Sequence, residues 1–210
     1  MEDVSILAMH TAKAASMAYL YAKGRDGVLI DAGLGCHELW EEAGRRGIRI
    51  HAVLLTHSHY DHICGLPELL SRTEGLPVYV HYSERNFLRH PDLNLSTLFQ
   101  VREGYDVPAT PYFDGEELCF DQVGFRVIHT PGHSLGSSCF YDGERVFSGD
   151  TLFRGTIGRT DHFFGDTVQE IASIRQRLLT LPGETLLLPG HGEHTTVEME
   201  AAHNGYLRER

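Results

Sequence analysis

The sequence predicts an α/β fold in which sheets are covered by helices on their outer faces. Strand and helix patterns alternate near both ends of the chain, whereas the middle reads as short strands separated by turn residues. The length of 210 residues and an apolar content of 41% suit one globular core. We therefore predict a single domain over residues 1–210.

The first half of the chain predicts strands and helices in alternation. Strands are expected at 16–22, 27–30, 50–56 and 78–81, and helices at 39–46, 67–71 and 83–89. Gly47 ends the first helix, Pro67 stands in the first turn of the second, and Ser83 caps the third. Residues 91–116 carry three prolines and little periodicity, which predicts a long loop that covers or serves a site.

The second half predicts an antiparallel series followed by a helix, a strand and a final helix. Strands are expected at 118–120, 124–129, 137–141, 145–148 and 186–188. Asp166 and Gln169 form a capping pair for a helix over 167–179. Thr195 and Glu198 form a second capping box, which opens a helix to about Leu207.

Composition excludes several classes of function. Eighteen basic and 29 acidic residues give a net charge of -11, which disfavours a nucleic-acid partner. No apolar run approaches bilayer length and no secretory signal is visible, so we predict a cytoplasmic protein without a membrane partner. The cysteines form no C-x-x-C pair and are expected to be reduced, buried thiols; they are Cys36, Cys64, Cys119 and Cys139.

The strongest chemical signal is the run T-H-S-H-Y-D-H, which directly follows an apolar strand. Alternate side chains of an extended chain share a face, so His57 and His59 are expected to point together. Asp61 and His62 follow as the chain turns toward a helix and can serve a neighbouring point. Imidazole and carboxylate are ligand types that zinc, iron(II) and manganese accept. Four such groups within six residues predict two adjacent cations.

Three further ligand-type residues stand where apolar strands end in glycine-containing loops. They are His133 in T-P-G-H-S, Asp150 in S-G-D-T and His191 in P-G-H-G. Loops at strand ends are where function is usually built, and glycine lets the backbone pass close to a ligand. Each residue alone is a weak signal, but together with the first run they are specific.

These four motifs resemble the metallo-β-lactamase superfamily across nearly the whole chain. Within it, the glyoxalase II-like hydrolases, meaning hydroxyacylglutathione hydrolases and their short bacterial relatives, resemble the sequence best. The stretch G-D-T-L-F from Gly149, the run G-R-T-D from Gly158 to Asp161, and Asn204 near the end add to that likeness.

The resemblance implies a fold, a ligand set and a metal pair. The fold is an αββα sandwich, in which two mixed sheets pack face to face with helices outside. The first metal is assigned His57, His59 and His133, the second Asp61, His62 and His191, and Asp150 bridges both. Two divalent ions are expected, with zinc as the first choice and iron or manganese as alternatives.

The implied mechanism needs no Ser, Cys or Lys nucleophile. A hydroxide that bridges the metals attacks the substrate carbonyl, and the metals stabilise the oxyanion. Asp150 and Asp61 are the catalytic residues beside it, because Asp61 or a metal-bound water can supply a proton. A small-molecule thioester is favoured over an amide, since a thiol of pKa about 8.5 leaves as thiolate without an acid.

Some residues near the ligands have two interpretations. Arg154 and Arg159 follow Asp150 and either bind an anionic substrate or, as we favour, tie down the loop. Tyr60 and Phe153 line a pocket or simply pack. Asp31 ends a strand in D-A-G and is a candidate partner for a ligand histidine, with a turn-forming aspartate as the alternative.

Two rival functions stay open at this stage. Persulfide dioxygenases resemble the sequence closely, including the G-R-T-D run, and hold one iron at the equivalents of His57, His133 and Asp150. A metal-binding scaffold without catalysis is the third hypothesis, and the complete ligand set argues against it. Zinc β-lactamases are disfavoured because they typically lack the carboxylate that stands here at Asp150.

The substrate prediction has one departure from the family. Full-length glyoxalase II proteins carry an extra C-terminal helical region that helps bind glutathione, and this chain stops soon after the final capping box. A smaller or different thioester or ester is therefore an alternative to hydroxyacylglutathione. The sequence does not indicate an oligomeric state.

Overall fold

The computed structural model describes residues 4–11 and 16–208, which fall into two compact units. The first unit consists of residues 1–112 and 118–124, and the second consists of 113–117 and 125–210. Each unit contains its own sheet, helices and hydrophobic core. The prediction that 1–210 act as a single domain stays a prediction.

The first unit is built on a mixed six-stranded sheet. Its strands are β1 (Val4–His10), β2 (Met17–Lys23), β3 (Asp26–Ile30), β4 (Arg49–Leu54), β5 (Val78–His81) and β6 (Ala109–Tyr112). Strands β1, β2 and β3 pair antiparallel, and β3 through β6 pair in parallel. The carboxyl ends of β3, β4, β5 and β6 therefore meet at one edge of the sheet.

Three short α-helices belong to this unit: α1 (His37–Arg45), α2 (Tyr60–Ile63) and α3 (Leu66–Arg72). Leu39 and Ala43 of α1 and Leu66 and Leu69 of α3 are buried in the core beside apolar side chains of the sheet. Because α2 begins directly beyond β4, the chain reverses next to the carboxyl edge of the parallel strands.

The second unit is also built on a mixed sheet. Its strands include β8 (Val123–His129), β9 (Ser138–Tyr141), β10 (Arg145–Gly149), β13 (Leu186–Pro189) and β14 (Thr195–Thr196). Strands β8, β9 and β10 pair antiparallel in that order. Strand β10 is parallel to β13, and β13 is antiparallel to β14. Strand β7 (Glu117–Phe120) falls at the boundary between the two units. The other elements of the second unit are the hairpin β11 (Leu152–Phe153) and β12 (Thr156–Ile157), and helices α4 (Thr167–Ser173) and α5 (Val197–His203).

Most predicted elements are present, and the differences have local causes. The predicted helix 83–89 is two 3-10 turns, Tyr82–Glu84 and Phe87–Arg89. The predicted loop 91–116 contains a further 3-10 turn at Ser96–Phe99 and the strand β6. The sequence pattern did not predict β6 because this strand contains Pro111. Proline is a weak strand former and is usually confined to edge strands.

The helix ends also differ in part from expectation. Asp166 caps α4 as predicted and accepts hydrogen bonds from the backbone N–H groups of Val168 and Gln169. The second half of the predicted helix 167–179 is a π-helical turn from Ile174 to Leu178. Helix α5 is capped by Thr196 rather than Thr195, and it ends at His203. None of the described helices is long and apolar enough to cross a membrane.

Candidate metal centre

The first group of predicted ligands lies where β4 passes into α2. His57, His59, Asp61 and His62 are all buried. The ring centroid of His57 is 4.6 Å from that of His59 and 4.3 Å from that of His62. The turn from β4 into α2 therefore brings its imidazoles into one cluster.

Asp31, at the end of β3, fixes the orientation of His62. Its Oδ2 lies 2.8 Å from Nδ1 of His62, and its Oδ1 accepts a hydrogen bond of 2.8 Å from the backbone N–H of Thr56. Asp31 has a φ of 60°, which aspartate tolerates better than most residues. An imidazole that donates from Nδ1 to a carboxylate keeps the lone pair of Nε2 for a metal. The sequence-based role of Asp31 is thus confirmed by this contact.

Glu84 holds the backbone between the two leading histidines. Its carboxylate is fully buried and accepts hydrogen bonds of 2.7 Å from both the backbone N–H and the hydroxyl of Ser58. Ser58 separates His57 from His59. The two hydrogen bonds therefore hold the extended backbone in which the side chains of His57 and His59 share a face. Sequence reasoning missed Glu84, because nothing in the stretch Y-S-E-R indicates a buried acid.

Close packing anchors α2 from the other side. The hydroxyl of Ser16 donates to the carbonyl oxygen of Asp61 over 2.8 Å. A Cβ built on Gly33 would stand 2.6 Å from the same carbonyl oxygen, so only glycine fits there. The backbone N–H of Tyr60 donates to the carbonyl of Asn94 over 2.7 Å. Residues 57–62, called the ligand segment below, are therefore held by contacts with two stretches of the unit that are distant in sequence.

The second group of predicted ligands lies in the second unit, around Asp150. Its Oδ2 is 3.6 Å from Nε2 of His133 and 3.4 Å from Nε2 of His191. Asp150 follows β10, His191 follows β13, and His133 follows β8, so all three stand just beyond strand ends. One carboxylate oxygen between two imidazoles is an arrangement suited to a shared metal ligand.

The backbone of the loop after β12 orients His133. Nδ1 of His133 lies 2.8 Å from the carbonyl oxygen of Arg159, to which it donates when Nε2 carries the lone pair. A Cβ on Gly158 would collide with the carbonyl oxygen of Asp150 and stand 3.0 Å from Nδ1 of His133. The backbone N–H of His133 also donates to Glu170 in α4, another buried acid that sequence reasoning missed.

Burial determines the protonation of the Glu170 carboxyl. Burial raises the pKa of its carboxyl to about 9, and the negative charge of Asp150 adds to that effect, although the hydrogen bond from His133 opposes it. A carboxyl in this position holds the backbone of a ligand rather than offering a charge to solvent.

The arginines after Asp150 are engaged with acids. Arg159 donates from Nε to Asp161 over 2.9 Å, and Arg154 pairs with Glu193. These contacts are ion pairs with carboxylates, so the loop-holding role that we favoured for the two arginines stays a prediction. Phe153 packs edge-on against His191 with ring centroids 5.9 Å apart. His162 packs edge-on against His133 with ring centroids 5.0 Å apart.

The donor chemistry of both groups fits divalent cations. The first group offers three imidazoles and a carboxylate, and the second offers two imidazoles and a carboxylate. Imidazole nitrogens and carboxylate oxygens, without sulfur, suit zinc, iron and manganese alike. Hydrogen bonds at Nδ1 of His62 and His133 leave Nε2 as the metal-facing atom of each.

One further His–Asp group lies elsewhere in the first unit. Nε2 of His51 is 2.7 Å from Oδ1 of Asp26 and 3.6 Å from Oδ2 of Asp121. The short distance to Asp26 is that of an ordinary hydrogen bond, which ties the start of β3 to β4. This pair resembles the contact between Asp31 and His62 but involves no predicted ligand.

Mixed sheets whose strand ends carry buried histidines and aspartates define the chain as an α/β metalloprotein. The sequence profile of the metallo-beta-lactamase superfamily matches residues 13–191. The chain belongs to that superfamily, and its fold is the metallo-β-lactamase fold.

Curated relatives of nearly the same length include named hydrolases. The probable metallo-hydrolase YqgX of Bacillus subtilis is 38% identical over 193 residues, which cover 90% of this chain and 91% of the relative. The hydroxyacylglutathione hydrolase GloC of Haemophilus influenzae is 30% identical over 196 residues, which cover 89% of each.

Solved structures with the same fold carry different descriptions. The BLEG-1 B3 metallo-beta-lactamase has a TM-score of 0.91 and 34% identity over 98% of this chain and 100% of its own. TTHA1623 in a di-iron-bound form has a TM-score of 0.85 and 37% identity over 96% and 100%. ETHE1 from Myxococcus xanthus has a TM-score of 0.79 and 28% identity over 96% and 83%. Metal binding is thus common to the family, whereas the ion in this chain is not fixed by it.

Proposed function

We propose that this protein is a dinuclear metal-dependent hydrolase that cleaves a thioester. Both ligand groups contribute to the proposed centre. The first metal would be held by His57, His59 and His133, the second by Asp61, His62 and His191, and both by Asp150. The expected ions are zinc, with iron or manganese as alternatives, and the di-iron form of TTHA1623 makes iron a serious choice.

The main support is the hydrogen bonding that orients one histidine in each of the two ligand groups. Nδ1 of His62 is held by a carboxylate and Nδ1 of His133 by a backbone carbonyl, and both Nε2 atoms lie within 4 Å of an aspartate oxygen. Ligand histidines in metalloproteins are oriented in this manner. When bound, two divalent cations would lower the pKa of a bridging water to about 7 and polarise a substrate carbonyl.

The protein's own residues would hold charge and protons at defined atoms. Asp150 places one carboxylate oxygen 3.6 Å from Nε2 of His133 and 3.4 Å from Nε2 of His191, a set of donors that suits a divalent cation. Asp61 places its Oδ2 3.8 Å from Nε2 of His62, where a carboxylate can receive a proton and return it to a product. Burial of these groups excludes bulk water and strengthens their interactions.

A thioester is the substrate class that this set of residues serves best. A thiolate of pKa about 8.5 leaves without a dedicated acid, whereas an amide nitrogen must be protonated. The relative named hydroxyacylglutathione hydrolase supports the same class. The substrate is proposed to be a small molecule, and a nucleic-acid partner stays disfavoured by the net charge of -11.

A second candidate is a mononuclear iron oxygenase that acts on a persulfide. The G-R-T-D run from Gly158 to Asp161 favours it, and so does the likeness to ETHE1. In that case His57, His133 and Asp150 would hold the iron as a triad of two histidines and one carboxylate.

One experiment separates the candidates. Protein loaded with zinc, and in parallel with iron, is given S-D-lactoylglutathione, S-acetyl-N-acetylcysteamine, glutathione persulfide and nitrocefin, while thiol release and dissolved oxygen are recorded. We expect thioester cleavage without oxygen consumption, and loss of that activity on His191→Ala. Oxygen uptake with glutathione persulfide by the iron form would favour the second candidate, and cleavage of nitrocefin alone would indicate a β-lactamase.

A further inference from the structure

The 3-10 turn Ser96–Phe99 presents two large apolar side chains to solvent next to the ligand segment. Leu98 is 60% exposed and Phe99 is 39% exposed. The ring of Phe99 lies 5.2 Å from the ring of Tyr60, which stands in the chain between His59 and Asp61. Phe99 therefore contacts a residue that neighbours two predicted ligands in sequence, and Leu98 directly precedes Phe99.

The loop that carries this pair is fixed by polar contacts rather than by burial of its tip. The Asn94 amide donates to the carbonyl of Glu103 over 2.9 Å, and the Ser96 hydroxyl donates to the same carbonyl over 3.0 Å. The Glu103 carboxylate accepts hydrogen bonds from Tyr60 and Tyr105. Because Tyr60 also donates its N–H to Asn94, the loop and the ligand segment are held as one piece.

The backbone on either side of the turn is left-handed. Leu95 has a φ of 61° and Gln100 a φ of 60°, a region that non-glycine residues rarely occupy. The turn between them is the one on which Leu98 and Phe99 are exposed to water. Strained backbone that exposes apolar groups beside a reactive centre is typical of a binding surface.

The second unit shows the same combination independently. Phe163, which is 65% exposed, packs against Phe164 with ring centroids 4.3 Å apart. The neighbouring His162 stacks on the predicted ligand His133, and Phe164 has a φ of 70°. In the first unit an exposed ring packs against a neighbour in sequence of two predicted ligands, and in the second unit an exposed ring follows a residue that contacts a predicted ligand.

Two arginines that follow Asp150 in the chain are already paired with acids. Arg159 is paired with Asp161, and Arg154 is paired with Glu193. The net charge of the chain is -11. A glutathione conjugate carries two carboxylates, and to bind it these arginines would have to give up their present partners.

We propose that the preferred substrate is a thioester with an apolar acyl group rather than a glutathione conjugate, and that Leu98 and Phe99 contact this group. This inference rests on the proposed thioesterase function. Removal of the acyl chain and of the exposed apolar pair from water drives the recognition.

A series of matched thioesters tests it. The zinc-loaded protein is assayed with S-acetyl-, S-butanoyl-, S-hexanoyl- and S-(3-phenylpropanoyl)-N-acetylcysteamine, and with S-D-lactoylglutathione. We expect kcat/KM to rise by about tenfold or more from the acetyl to the hexanoyl compound, and S-D-lactoylglutathione to be the poorer substrate. If S-D-lactoylglutathione exceeds all four, the inference is overturned while the thioesterase proposal stands. If none of the five is cleaved, the proposed function itself fails.

Two variants locate the preference. Leu98→Ser should lower kcat/KM for the hexanoyl compound by about fivefold and leave the acetyl compound within about twofold, and Leu98→Met should restore the preference. Met199, which is 47% exposed on α5, is the matched control, and Met199→Ser should change neither substrate. Equal losses on both substrates for Leu98→Ser, or an unchanged hexanoyl to acetyl ratio, would contradict the assignment.

Discussion

The carboxylate of Asp31 accepts a hydrogen bond from Nδ1 of His62 over 2.8 Å, and it also receives the backbone N–H of Thr56. One side chain therefore joins the end of β3 to the end of β4 and fixes a ligand histidine at the same time. Because the partner of Nδ1 determines which nitrogen carries the proton, Asp31 determines the metal-binding atom of His62.

Asp31→Asn is expected to weaken metal binding by about 10-fold to 100-fold. The amide can still accept the N–H of Thr56, but its nitrogen cannot accept a proton from Nδ1 of His62. The proton then moves to Nε2, the atom that should face the metal. Competition with a chromogenic chelator measures the zinc dissociation constant.

Asp26→Asn is the matched control for this substitution. It alters a contact of 2.7 Å between an aspartate and His51 in the same unit, away from the predicted ligands. Zinc affinity should stay within about twofold of wild type, because no predicted ligand loses its partner. Equal losses in the two variants would mean that Asp31 acts on stability in general and not on His62.

Glu84→Ala is expected to lower the free energy of unfolding by about 2–4 kcal/mol, because the N–H and the hydroxyl of Ser58 lose their buried acceptor. Glu84→Gln keeps one acceptor oxygen and should cost about half as much. Urea unfolding of the zinc-loaded protein provides the measurement. Glu42→Ala removes an exposed acid on α1 and should leave the midpoint unchanged, and a similar loss there would refute the specific role of Glu84.

Gly158→Ala is expected to disturb Asp150 and His133 together, since its Cβ would collide with the carbonyl of Asp150. The variant should be destabilised by about 2 kcal/mol or more and should retain less metal after dialysis. Gly44, near the end of α1, has no atom within 4 Å of a built Cβ. Gly44→Ala should therefore stabilise the protein by about 0.5–1 kcal/mol. If both variants behave alike, the close approach at Gly158 does not matter.

The thiols provide a prediction about pH. Burial raises the pKa of Cys36 and of Cys139 to about 12, so near pH 8 only about one thiol in ten thousand is thiolate at these positions. Cys119 is exposed. A disulfide reagent should modify Cys119 rapidly, and Cys36 and Cys139 should stay unmodified up to about pH 10 until the protein unfolds. Rapid modification of Cys36 or Cys139 in the folded protein at pH 8, located by peptide mass mapping, would contradict this prediction.

The members of the proposed ligand set carry local signals in the sequence. His57, His59, Asp61 and His62 crowd into one short run, and each of the other three follows an apolar strand and a glycine. The groups that hold the ligands lack such signals. Glu84 and Glu170 become partners only through the fold, and Arg159 contributes a carbonyl oxygen that any residue could supply.

The fold could be predicted where periodicity or caps are strong, as in β2, β4 and the start of α4. It was missed where tertiary contacts override local preference. Strand β6 contains a proline and is stabilised by parallel pairing with β5, and the segment 83–89 forms 3-10 turns around the buried acid Glu84. How the two sheets pack against each other was implied by the family resemblance and not by any local pattern.

X-ray absorption at the zinc edge, recorded on protein loaded with two zinc equivalents per chain, tests the dinuclear centre most directly. For a dinuclear centre of these side chains we predict nitrogen and oxygen ligands at about 2.0–2.2 Å, with imidazole scattering and no sulfur. We also predict a zinc–zinc distance of about 3.5–4 Å. A spectrum with no metal–metal scattering, or with a sulfur ligand near 2.3 Å, would contradict the claim that these seven side chains form one centre.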